Sequence, residues 1–183
     1  KMKLVLAEPK YFTDSISIIS EMVNEVTLKI YKDKIEIIAM DPANVAMVAF
    51  TLLSSAFAEY NVDKTKEISI NLEQLRQVLK RAKPSDIISL SLDEKKSKLK
   101  VDITGNSKRS FSLALINIDE KEQKVPDLSF PISITIPTYI FDEAIEDMGV
   151  ISDALSLIAE KNKLTMDSSS SLHSAKVEIQ EGD

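Results

Sequence analysis

The chain has no cysteine among its 183 residues, which removes disulfides, thiolate metal sites and cysteine nucleophiles together. That absence fits a cytosolic protein, or one from a warm habitat that avoids labile residues. Glycine is nearly as scarce, at three residues, so there is no room for a phosphate-cradling loop, and no P-loop, GxGxxG or HExxH pattern occurs. The one histidine, His173, sits in the serine-rich stretch SSSSLHSAKVE. It lacks partners for a metal and lacks a nucleophile and an orienting acid for catalysis, so it reads as a solvated turn residue. No run of about eighteen apolar residues exists, and the apolar part of the N-terminal KMKLVLAEPK is too short for a signal peptide. A soluble, intracellular protein is expected. The formal net charge of −6 means that any nucleic-acid role needs a local basic surface working against the global sign.

What is present is a regular, folded pattern, 44% hydrophobic and long enough for a sizeable core. KLVLA reads as a short strand stopped by Pro9. Phe12, Ile16, Ile19 and Val23 then form a helical stripe with Pro9 in its first turn. VTLKIYKDKIEIIAM alternates around Lys32-Asp33 as a hairpin, and VAMVAFTLL and EISINL are further strands. Leu72, Leu75, Val78 and Leu79 share one face of a helix expected over 72–83, ended by Pro84. DIISLSLD, SKLKVDIT and RSFSLALIN follow as strands joined by short polar turns. Residues 118–131, IDEKEQKVPDLSFP, carry no complete period and are interrupted by Pro126 and Pro131, which marks an extended linker. Beyond it, ISITI onward resumes strand, helix and three strands.

The second part echoes the first. Pro9, Tyr11 and Phe12 recur as Pro137, Tyr139 and Phe141, and AMDPANVAMVAF recurs as TMDSSSSLHSAKVEI, so residues 3–50 repeat loosely at 133–179. A repeat fixes architecture before any single motif does. It divides the chain into a domain over 1–117, a connector over 118–131 and the first half of a second domain over 132–183. The expected fold class is α+β, with repeated βαβββ units, helices on one face of antiparallel sheets and an incomplete second domain. The helical acids Asp142, Glu143, Glu146 and Asp147 are the one place for paired carboxylates or a Mg²⁺ ion. Their alternation with Phe141 and Ile145 favours a solvated face. Between KIEIIA and VAF, the Asp-Pro turn at 41–42 accounts for a hairpin but not for Met40, Val45 and Met47 at its tip.

KIEIIAMDPANVAMVAF, FAEYNVD, ISINLEQLRQVLKRAKPSDIISLSL and the connector IDEKEQKVPDLSFP together resemble the archaeal proliferating cell nuclear antigen family, the DNA sliding clamps, along the whole chain. The resemblance implies the sliding-clamp fold, a three-subunit ring, sequence-independent passage of duplex DNA, and tethering of polymerase, flap endonuclease and ligase as a processivity factor. It implies no cofactor, no resident metal, no membrane and no catalytic activity, and a cytoplasmic, nucleoid-associated place in an archaeal cell. A clamp loader and repair proteins are the further partners it implies.

Carried over by position, an apolar groove for PIP-type peptides (a glutamine, an aliphatic and an aromatic pair) would use Met40, Asn44, Val45 and Met47 from the hairpin. Val125, Pro126, Leu128 and Phe130 would come from the connector. Methionine is adaptable enough to receive varied clients. Lys10, Arg76, Lys80, Arg81 and Lys83 would face DNA, which a sliding ring must hold loosely through phosphates. Ser110, Leu113 and Leu115 on one edge strand and Val177 and Ile179 on another would form the subunit interface, either homo- or heterotrimeric. The acidic helix 138–148 departs from the basic inner surface of the family. Two other classes stay open here: a clamp-like accessory or checkpoint subunit with different clients, and an unrelated α+β metal-dependent enzyme using the acidic helix.

Overall fold

The computed structural model describes residues 1–118 and 123–182, in two compact units, Lys1–Pro126 and Asp127–Asp183. The first unit runs β1 (Met2–Leu6), α1 (Lys10–Ser20), β2 (Glu25–Ile30), β3 (Lys34–Met40), β4 (Met47–Leu53), β5 (Glu59–Val62), β6 (Lys66–Asn71), α2 (Leu72–Leu79), β7 (Ile87–Asp93), β8 (Lys98–Thr104) and β9 (Lys108–Ala114). Strand, helix and three strands therefore occur twice, with β5 between. The first strand of each set is exchanged. β1 pairs with β7 of the second set and β6 pairs with β2 of the first, all antiparallel, giving sheets ordered β5-β1-β7-β8-β9 and β4-β3-β2-β6. The strand β5 lay unmarked in FAEYNVD. It is only four residues long and is held by β1 along its length.

Period-two alternation buries Val26, Leu28 and Ile30 of β2 and Ile35, Ile37 and Ala39 of β3. Those side chains meet the stripe Phe12, Ile16 and Ile19 of α1 and the face Leu72, Leu75, Val78 and Leu79 of α2 in one continuous core. Each fully buried Leu, Ile or Phe contributes about 1.5–3 kcal/mol. The side chain of Asn71 starts α2 by accepting the Gln74 N–H at 2.9 Å. The helix stops at Leu79, short of the expected 83. Arg81 and Ala82 bond three residues back, to Val78 and Leu79. The Lys83 N–H goes to the Asp86 carboxylate at 2.9 Å and not to a helical carbonyl. Lys80, Arg81 and Lys83 thus lie on the cap and the turn after α2, not on a helix face opposite the leucines.

The second unit holds α3 (Thr138–Gly149), β10 (Ser156–Glu160), β11 (Lys163–Ser169) and β12 (Ser174–Gln180), with the three strands paired in that order. Ala144 and Met148 of α3 pack on Leu164, Met166 and Ile179. The expected strand at 132–136 is not formed. In the first unit the corresponding β1 is sandwiched between β5 and β7, and no strand equivalent to either lies among the described residues of the second. The repeat also differs at its hairpin. β3 ends at Met40 before Pro42, which has no N–H to give a ladder. With serine in place of proline, β11 continues to Ser169 and turns over Ser170–His173.

Candidate functional site

Residues 41–46 form a six-residue loop, wider than the tight turn expected from Asp-Pro, closed where Met40 pairs with Met47. The Asp41 N–H donates to the Ala46 carbonyl at 2.9 Å, and the Asn44 N–H donates to the Asp41 carbonyl at 2.9 Å. Asp41 Oδ1 accepts the N–H groups of Val45 at 2.7 Å and Ala46 at 2.9 Å. Asn44 takes φ +56°, a left-handed conformation that asparagine tolerates well. The result is a braced loop that presents Val45, 84% exposed, between half-buried Met40 and Met47. Asp41 was the missed residue. An Asp followed by Pro and, three positions on, by Asn is the signal of a side-chain-capped turn.

Val125 and Pro126 are exposed in the first unit, and Leu128 and Phe130 are exposed in the second, all outside regular structure. Four connector residues expected to be apolar contacts are therefore unburied.

α1 and α2 pack side by side in opposite senses: the Leu72 N–H bonds the Asn24 carbonyl at 2.7 Å, while Lys10 and Lys83 line one depression of about 470 Å³. Two of the five expected DNA-facing cations are already engaged. Lys10 Nζ lies 2.5 Å from Asp14. Arg76 holds Glu73 through both its Nε, at 2.6 Å, and its Nη2, at 2.5 Å. The Arg76 hydrogen bonds pull the Glu73 carboxyl down to about 2. Lys80, Arg81 and Lys83 have no carboxylate within 4 Å among the described residues and are exposed.

β9 and β12 each end a sheet, with one edge unpaired among the described residues. Their side chains differ in availability. Ser110 is exposed, its hydroxyl donating to Asp102 at 2.5 Å. Leu113 and Leu115 lean on the first core, and Val177 leans on the second. The Ile179 side chain is buried in the second core, so only the backbone of that residue is available at the β12 edge. Leu115 falls just past β9, where its N–H bonds the Ser97 carbonyl at 2.9 Å. The basic turn at 80–83 lies beside β9, because Arg109 of β9 donates to the Arg81 carbonyl at 3.0 Å. α3 lies against β11 and β12 and exposes Asp142, Glu143, Glu146 and Asp147 with no cation on the helix. Residues 1–126 hold 20 Lys and Arg against 18 Asp and Glu, whereas 127–183 hold 3 against 11. Among the described residues, no group of three or more His, Asp and Glu is placed to hold a metal ion. No helix there is long and apolar enough to cross a membrane.

The hydrogen bonds to Asp41 make the loop brace sensitive to its protonation. The N–H groups of Ala46 and then Val45 hold the Asp41 carboxyl below its ordinary value. A depressed carboxylate contributes order above its unfolded pKa and loses it as pH falls through the folded one. The amide protons of Val45 and Ala46 should titrate together in NMR spectra with a midpoint below that of an ordinary aspartate, and Asp41→Ala should abolish the transition. A midpoint at or above the ordinary aspartate value would contradict the brace.

The profile of the proliferating cell nuclear antigen N-terminal domain matches residues 5–124. A DNA polymerase sliding clamp of Thermococcus kodakarensis is 32% identical over 164 residues, which cover 90% of this chain and 66% of that protein. One from Thermococcus gammatolerans is 29% identical over 177 residues, 97% of this chain and 71% of that protein. The chain thus spans about two thirds of the length of these relatives. The crystal structure of PCNA from Thermococcus kodakaraensis superposes with a TM-score of 0.91 at 22% identity, over 100% of this chain and 74% of that one. A PCNA2–PCNA3 complex from Sulfolobus tokodaii gives 0.89 at 26% identity, over 98% and 73%. The exchanged strands and paired helices are thus the sliding-clamp fold, and the chain belongs to the proliferating cell nuclear antigen family.

Proposed function

We propose that the chain is a subunit of a sliding clamp, a ring around duplex DNA that tethers replication and repair proteins and has no chemistry of its own. The observation that carries this reading is the pair of open edges with opposite charge beside them. A head-to-tail contact between two different edges closes into a ring when the rotation closes. Joining β9 of one copy to β12 of the next extends two sheets across the junction and satisfies both rows of backbone groups. The same junction sets the basic turn with Arg81 and Lys83 toward the neighbour's acidic α3. Ser110, Leu113, Leu115 and Val177 would line it, and α3 then serves assembly, which accounts for its departure from a basic DNA-facing surface.

Duplex DNA would meet the α1–α2 face. Lys10 and Arg76 are held by Asp14 and Glu73, so a phosphate must compete with a carboxylate for each, and Lys80 carries the open charge. Such contacts are weak, sequence-independent and salt-sensitive, which suits sliding. Clients, and a clamp loader among them, would use the apolar tip Met40, Asn44, Val45 and Met47 with Val125, Pro126, Leu128 and Phe130. The braced loop supports this: its order is fixed before the peptide arrives, which reduces the entropy cost of binding.

Two experiments test the reading. A labelled peptide with the glutamine, aliphatic and aromatic-pair motif should bind saturably by fluorescence anisotropy. Met47→Ala and Leu128→Ala should each weaken it about tenfold, or about 1.4 kcal/mol; binding unaffected by both would remove the groove. In sedimentation, Arg81→Glu with Lys83→Glu should shift the chain toward monomer by about tenfold or more in association constant. Adding Asp142→Lys with Glu146→Lys should restore assembly. Self-association indifferent to the reversal would refute the charged junction.

A further inference from the structure

We infer that Met40 and Met47 are a paired oxidation site: a peroxide converts these two thioethers to sulfoxides ahead of the core methionines, and the apolar hairpin tip becomes polar while the fold stays intact. The consequence for clients rests on the groove reading above, but the chemistry and its selectivity do not. With no cysteine in the chain, its six methionines hold all of its sulfur. Met2, Met148 and Met166 are buried in the two cores, and Met22 packs against the first. Met40 and Met47 are half-buried and belong to neither core of the described residues. Alternation turns Met40 to the same face of β3 as Ile38, away from the buried Ile37 and Ala39, and Met47 is its partner across the hairpin. The Asp41 N–H bonds the Ala46 carbonyl, so the Asp41–Ala46 pair carries the ladder hydrogen bond. The Met40–Met47 pair beside it is then a non-hydrogen-bonded one, the kind in which opposed side chains stand closest. Two part-exposed thioethers are thereby set side by side.

The step is an oxygen transfer. A sulfur lone pair attacks one oxygen of hydrogen peroxide, the O–O bond breaks, and the other oxygen leaves with both protons as water. Sulfur is oxidised by two electrons and the peroxide is reduced by two. The product carries a polar S–O group where the thioether offered an adaptable apolar contact. An apolar client side chain that meets it must strip water from that group without replacing its hydrogen bonds. The loop is braced through the Asp41 carboxylate and backbone amides, and none of those bonds involves sulfur, so its shape survives the change. Having no thiol of its own, the chain cannot reverse the step, which falls to an external dithiol-dependent sulfoxide reductase.

Peptide mapping by mass spectrometry tests the site on the folded chain treated with limiting hydrogen peroxide. Sulfoxide should form at Met40 and Met47 about tenfold faster than at Met2, Met148 and Met166, and faster than at Met22, with an unchanged thermal melt. Uniform rates, faster oxidation at Met22, or a melt that falls as Met40 and Met47 oxidise would overturn the inference. Binding of the labelled client peptide should weaken about tenfold after treatment and recover with methionine sulfoxide reductase and dithiothreitol. In Met40→Leu with Met47→Leu, compared only with its own untreated form, peroxide should leave the affinity where it was. A loss as large as in the unaltered chain would assign the effect to another methionine and overturn the inference. If the unaltered chain does not bind the peptide, the groove reading fails on its own, and the peptide map still decides the site.

Discussion

A strand, a helix and a three-strand meander cannot close a sheet by themselves when the first strand is laid against someone else's meander, and this exchange is the constraint on which the first unit depends. β1 needs β7, and β6 needs β2. Neither half has a complete hydrogen-bonded ladder without the other, so the two halves form one core from Leu4 and Phe12 through Ile70 and Leu75 to Ile103. The exchange also lays α1 and α2 side by side. The tip of the β3–β4 hairpin projects from the core, and the outer edge of β9 is unpaired among the described residues. The second unit shows the same rule from the opposite side: residues 132–136 have a strand's alternation, and with no second meander among the described residues of that unit they form no strand.

Charge is distributed in keeping with that architecture. On the α1–α2 face Lys10 and Arg76 are each held within one helical turn by an acid, Asp14 and Glu73, and Lys80 alone is open among the described residues of that face. The strongly charged surfaces lie next to two of the open sheet edges: a basic turn anchored on β9, and an acidic helix packed against β12. Under the clamp reading, the greatest electrostatic complementarity belongs to the junction between subunits and the weakest attraction belongs to the DNA path. A ring that must stay closed while its cargo slides needs that ordering.

The elements were legible wherever one period dominated: the leucine face of α2 and the alternation of β2, β3, β8 and β12 stand where the residues placed them, as does the stripe of α1 except that Val23, though buried in the same core, falls just past the helix end at Ser20. The strand exchange was not legible, since period-two alternation says which face is buried and nothing about which partner lies alongside. The helix end at Leu79 was hidden because Asp86, seven positions on, takes the Lys83 N–H. The burial of the Ile179 side chain was not legible, because it depends on α3 covering that face of β12 through Ala144 and Met148. The greasy hairpin tip was readable as an anomaly. Its bracing by Asp41 was not, because it depends on a side chain capping two amides four and five residues ahead.

The most direct test of the ring is topological. The chain would be assembled on a nicked circular duplex, washed at moderate salt, and assayed for retention before and after the circle is cut once at a remote site. An encircling clamp predicts retention on the circle and loss within minutes of linearisation, because only the ends release it. Equal retention on circular and linear DNA, or none on either, would contradict the account.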